Sequence, residues 1–115
     1  MGVDKDLLLV LKSSEIGDGA PDLGAKLMGA FLKTLLQSGR LPALIVCLNS
    51  AVFLTTEGSP VLETMQELER AGSKVLSCGT CLDYYGRVDQ LAVGAPTNMK
   101  DTVDAMLDFS RVLYP

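Results

Sequence analysis

Apolar residues in this chain fall into short unbroken runs, separated by longer stretches with helical spacing. Asp6–Lys12 holds the run Leu-Leu-Leu-Val-Leu between charges. It is too short for a helix and lacks polar alternation, so it predicts a strand buried on both faces. A Gly/Ser/Asp loop follows from Ser13 to Pro21. Over Asp22–Ser38, Leu23, Leu27, Phe31 and Leu35 share one row, and Met28, Leu32 and Leu36 share its neighbour. Lys26, Lys33 and Gln37 fall opposite. The spacing predicts a helix with a wide buried face, ended by Gly39.

Ala43–Leu48 predicts a second buried strand, approached through Pro42. Asn49–Gly58 reads as a long connection. Ser59 and Pro60 then suit the N-cap and first position of a helix with Val61, Met65 and Leu68 inward and Gly72 beyond its end. Lys74–Ser77 predicts a third strand, Cys78–Gly86 a turn with some helical character, and Gln90–Val93 a fourth strand. Asn98 suits the cap of a last helix, with Asp101 as its capping-box partner and Met99, Val103, Met106 and Leu107 inward. Val112, Leu113 and Tyr114 favour a closing strand over Arg111–Tyr114. Alternating elements with doubly buried strands give an α/β class: three layers, α/β/α, around a mostly parallel sheet of about five strands. The 115 residues fit one domain.

Composition narrows the chemistry. Ten Lys+Arg are scattered singly against fourteen Asp+Glu, for a net charge of −4. Nucleic-acid binding needs a clustered basic face, so none is expected. The apolar runs are too short to span a bilayer, and no signal peptide is visible. No histidine is present, which removes Ser-His-Asp and Cys-His catalysis and His-ligated metals. Tryptophan is absent and aromatic residues make up only 5%, which argues against a stacking platform. Three cysteines without a secretory signal do not form a disulfide framework and fit a reducing cytoplasm.

In open parallel sheets ligands bind beyond the carboxyl ends of the strands. Those ends carry Ser13 and Ser14, then Asn49 and Ser50, then Cys78 and Cys81, then Thr97 and Asn98. The sharpest feature is Ser77-Cys78-Gly79-Thr80-Cys81, a Cys-x-x-Cys leaving a strand. If a helix starts there, its N-terminus should lower a thiol pKa and favour the thiolate. Backbone N–H groups from Gly79 through Thr80 to Leu82 could hold an anionic sulfur. Thiolate attack on a sulfane sulfur needs no histidine. Two buried packing cysteines, or a thioredoxin-like redox pair, are the alternatives. Zinc asks for four ligands and the motif offers two, so no metal is assigned.

Other features read more plainly. Cys47 sits in a buried run and reads as packing. Gly17-Asp18-Gly19 misses the dinucleotide fingerprint and reads as a flexible loop. Glu57 and Asp83 are candidate acids or bases, more simply surface carboxylates. Tyr84 and Tyr85 suit a lid or a contact surface. Ala51-Val52-Phe53-Leu54 lies in a connection and predicts a subunit contact.

The segment Ser77–Gly86, with Leu91-Ala92-Val93-Gly94 and Thr97-Asn98-Met99, resembles the DsrE/DsrF-like superfamily. Within it the chain is most similar to the C-terminal domain of YedF-type selenium-metabolism sulfurtransferase-like proteins. Leu11-Lys12-Ser13-Ser14, Gly17-Asp18-Gly19, Asp22-Leu23-Gly24 and Leu48-Asn49-Ser50-Ala51-Val52 extend the resemblance over nearly the whole chain. It implies a five-stranded parallel domain, homo- or hetero-oligomers, and relay of sulfur or selenium as a cysteine persulfide. Cys78 and Cys81 are then the carriers, with Cys78 slightly preferred as acceptor at the strand end. Asn49 becomes a pocket residue. A cysteine desulfurase or TusA-like protein would be donor or acceptor, and no cofactor is implied. YedF-type proteins usually carry an N-terminal TusA-like domain, which this chain lacks. A non-catalytic oligomeric module and a dithiol redox switch remain the alternatives to the carrier.

Overall fold

A computed structural model of the chain describes residues 2–115. The elements are β1 (Gly2–Leu11), α1 (Pro21–Gln37), β2 (Arg40–Cys47), α2 (Leu62–Arg70), β3 (Lys74–Cys78), α3 (Gly79–Tyr84), β4 (Ala95–Thr97), α4 (Met99–Asp108) and β5 (Arg111–Leu113). Two short 3₁₀ turns, Asn49–Leu54 and Val88–Gln90, lie in the connections. The five strands form one sheet in the order β4-β3-β2-β1-β5, and every pairing is parallel.

Burial on both faces builds the sheet. Leu8, Leu9 and Val10 of β1 are fully buried, and successive residues serve opposite cores. Leu9 and Leu11 join Ile45, Cys47, Met28, Leu32, Met65 and Leu68 beneath α1 and α2. Leu8, Val10 and Val46 meet Ala105 and Met106 of α4, and Phe109 just beyond it, on the other face. The strands run in one direction across the sheet from β1 to β4, and the connection through α4 returns to the far edge. Right-handed crossovers then put α4 on the face opposite α1 and α2. At the amino edge, the Asp4 carboxylate pairs with Arg40 of β2 and Arg111 of β5, clipping three neighbouring strands. The Asp6 backbone N–H and Arg111 hold that carboxyl below its usual range.

Several sequence expectations need correction. The fourth strand is Ala95–Thr97, not Gln90–Val93. Gln90 closes a 3₁₀ turn, Leu91 bridges Thr56, and the Ala92 and Val93 N–H groups both donate to the Thr55 carbonyl. Buried Val93 thus anchors a loop. Pro96 obscured the true strand, which sits at the sheet edge, where a missing N–H is tolerated. Helix α2 starts at Leu62, because the Ser59 hydroxyl accepts from Val61 N–H and closes a turn first. The segment Ala51–Leu54 does not offer an exposed contact: Ala51, Val52 and Leu54 are buried within the chain.

The helices also expose apolar residues expected to face inward. Leu23 and Leu27 of α1 are exposed, with Leu27 lining an open groove of ≈540 Å³ with Ile16, Phe31 and Leu35. On α4 the expectation is largely reversed. Asn98 caps the helix as read, accepting from Asp101 N–H at 2.8 Å. However, Thr102, Ala105 and Met106 face the sheet, while Met99, Val103 and Leu107 are 58%, 43% and 77% exposed.

Gly94 allows the loop to reach β4. Its φ is +74°, and a Cβ there would lie 2.0 Å from the Val75 carbonyl oxygen. Neither backbone segment can yield without breaking the β3–β4 pairing. Gly94→Ala is expected to destabilise the fold by about 3 kcal/mol or more, read as a lower urea midpoint.

Candidate functional site

The carboxyl ends of β2 and β3 build the site. Strand β3 ends at Cys78, which is 5% exposed and forms the N-cap of α3. Its sulfur accepts from Cys81 N–H at 3.4 Å. One turn on, Cys81 is part-exposed, and its sulfur accepts from the Asn49 backbone N–H at 3.1 Å. Strand β2 delivers Asn49: Leu48 is still extended and bonds to the Leu11 carbonyl, and then the chain turns sharply into the 3₁₀ segment. Asn49 takes φ +53°, the one positive φ outside glycine among the described residues. Asparagine tolerates that region better than most residues.

Asn49, Thr80, Cys81, Tyr84 and Tyr85 line a cavity of ≈370 Å³. The Tyr85 hydroxyl donates to Asn49 Oδ1 at 2.8 Å. Its ring lies 4.6 Å from that of Phe53 and 5.2 Å, edge-on, from that of Tyr84. Tyr84 is 83% exposed and forms the outer rim. The Arg87 guanidinium lies over the Phe53 ring, 4.9 Å from its centroid, and donates to the Glu57 carbonyl and Gln90 Oε1. Beneath Cys78, the buried hydroxyls of Thr55 and Ser77 share a 2.7 Å hydrogen bond.

All three cysteines are free thiols. Burial pushes the Cys81 thiol above its usual range and the Cys78 sulfur adds to the rise, while the Asn49 N–H opposes both. The expected lowering by a helix N-terminus is therefore overturned at Cys81. Helix α3 has only six residues, and its Cys81 N–H is spent on Cys78. Cys47 is fully enclosed and its thiol is pushed up to about 12 by burial, as suits a packing residue.

The other sequence candidates divide. Asn49 and Thr80 join Cys81 around the cavity, whereas Cys78 caps the helix and does not line it. Gly79 packs against the Thr97 carbonyl, where a Cβ would come within 3.3 Å. Ser13 and Ser14 form a separate hydroxyl cluster. The Ser50 hydroxyl accepts from Ser14 N–H at 3.1 Å and donates to Ser13 Oγ at 3.4 Å. Neither serine lines the Cys81 cavity; each borders a different depression beside Glu15. Glu57 and Asp83 are exposed and also lie outside that lining. Arg87 escaped the sequence reading, and Phe53 was read only as part of a subunit contact, not as a neighbour of Tyr85. The i, i+4 spacing of Cys81 and Tyr85 puts both on one side of α3 and its cap, but no spacing in the sequence points to Phe53 or Arg87.

No family model matches the chain, and no curated protein does. Solved structures match nearly its whole length. The ychN protein from E. coli shares 16% identity at a TM-score of 0.66, over 97% of this chain and all of the other. MTH1491, a protein of unknown function from Methanobacterium thermoautotrophicum, shares 14% at 0.72, again over 97% of this chain and all of the other. BT1422, a conserved protein of unknown function from Bacteroides thetaiotaomicron, shares 15% at 0.66, over 96% and 95%. At these identities the likeness is one of fold: this chain has the same parallel-sheet architecture as the three.

Proposed function

We propose that the chain is a DsrE-like sulfur carrier, of the YedF type, that holds a persulfide on Cys81 and passes it to a partner protein. The observation that carries this reading is a part-exposed thiol in a cavity at the carboxyl edge, its sulfur met by a backbone N–H at 3.1 Å. In the loading step, the Cys81 thiolate attacks the outer sulfur of a donor persulfide, such as that of a cysteine desulfurase. A new S–S bond forms, the donor S–S bond breaks, and the donor leaves as thiolate. The proton from Cys81 passes to water and one is regained by the donor, with no net oxidation. An acceptor thiolate, TusA-like in kind, then attacks the outer sulfur in the same way. The N–H of Asn49 suits the anionic sulfur in both steps. Selenium would follow the same course. Cys78 supports the turn as a cap, and attack by its thiolate on the Cys81 sulfur of the persulfide would form a Cys78–Cys81 disulfide, break the bond to the outer sulfur and release that sulfur as hydrosulfide.

A second reading, an interaction module built on self-association, draws on a different observation. Met99, Val103 and Leu107 form an exposed apolar stripe along α4. Burying such a stripe against another copy of the chain would stabilise an oligomer. The two readings are compatible.

Incubation with a cysteine desulfurase and cysteine should add the mass of one sulfur atom, removable by reductant. Cys81→Ser should abolish the adduct, while Cys78→Ser, which retains a capping hydroxyl, should keep it; loading that survives Cys81→Ser contradicts the carrier.

Because burial raises the Cys81 thiol, its thiolate fraction should keep growing above the ordinary cysteine range. Peptide-resolved alkylation of Cys81 should therefore be slower than that of a free thiol at neutral pH. It should rise about tenfold per pH unit and level off only above the pH at which a free thiol does. Cys47 should stay unlabelled while the fold holds.

Val103→Lys with Leu107→Lys should convert any oligomer to monomer in sedimentation and leave sulfur loading in place.

A further inference from the structure

Two residues one helical turn apart on α3 and its cap reach the same partner. Cys81 accepts the Asn49 backbone N–H, and the Tyr85 hydroxyl grips the Asn49 side chain. Asn49 is also the residue held in the left-handed region, at φ +53°. Away from that conformation its N–H swings off the sulfur, because φ sets the direction of the N–H relative to the rest of the residue. Tyr85 is itself immobilised. Phe53 packs on its ring, Arg87 packs on Phe53, and Arg87 is tied to the Glu57 carbonyl and to Gln90. A rigid brace thus runs from the Arg87 loop to the turn that follows β2.

We infer that Tyr85 is a positioning residue: through Asn49 Oδ1 its hydroxyl holds the left-handed turn that aims the Asn49 N–H at Cys81 Sγ. Tyr85 acts on the sulfur through Asn49 and makes no contact with the cargo. The functional meaning of the brace rests on the sulfur-carrier reading, whereas its effect on the thiol does not. Losing the brace weakens the one hydrogen bond that favours the anionic sulfur. Cys78 is the ionisable group facing Cys81, and Tyr84 and Tyr85 share its cavity wall. None of these compensates for the lost donor.

The test is the pH profile of Cys81 alkylation by iodoacetamide, resolved by peptide mass, in the full chain. Tyr85→Phe keeps the ring on Phe53 and removes only the hydroxyl. It should slow Cys81 labelling about fivefold at neutral pH and move the profile to higher pH. Asn49→Gly provides a background with no side chain to grip, in a residue that takes positive φ unaided. There, adding Tyr85→Phe should change nothing relative to Asn49→Gly alone. An unchanged profile in Tyr85→Phe overturns the inference. So does an equal slowing in both backgrounds, which would make Tyr85 act on the sulfur without the Asn49 side chain. Sulfur loading is measured separately by intact mass. A chain that takes up no sulfur yet shows this dependence on Tyr85 retires the carrier and upholds the brace.

Discussion

The burial of β1 and β2 on both faces is the constraint from which the rest follows. Strands with no solvent face must satisfy their backbone within the sheet and cover both sides with helices. Leu8 to Val10 and Ile45 to Cys47 meet that demand with no polar side chain among them. Parallel pairing then gathers all carboxyl ends on one edge, and the turns that leave β2 and β3 meet there. The cavity is a product of this alignment. Asn49 and Cys81 stand far apart in the chain, and only the β2–β3 register brings them within hydrogen-bond reach.

The sequence was most legible where one signal dominated. Four of the five strands and the main helices could be read from apolar runs and helical spacing, and Asn98 from its capping chemistry. Legibility failed where two signals competed. At residues 90–97, Gln90–Val93 looked like a strand, but Val93 is a loop anchor and the strand hides behind Pro96. Along α4, apolar residues occupy more than one face. Pattern alone favours Leu107 over Thr102 for the interior, yet Thr102 satisfies its hydroxyl on the Asn98 carbonyl and is buried.

The candidate site was legible in its residues and less so in its electrostatics. The Cys-x-x-Cys motif and Asn49 stood out by residue type and place. The direction of the Cys81 shift did not, because it depends on how deeply the sulfur sits and on what a six-residue helix does with its few free N–H groups. Here one goes to Cys78, so the donor at Cys81 comes from a different strand end. The roles of Cys78 and Cys81 part on the same ground: one ends a strand and caps a helix, and the other opens toward solvent.

The margins of the sheet carry a further implication. Both outer strands, β4 and β5, are only three residues long, and β4 contains Pro96, which has no N–H to offer. Such blunt borders give a neighbouring molecule almost no ladder to extend. Growth by strand addition, the usual route to runaway fibres, finds little purchase along β4 and β5.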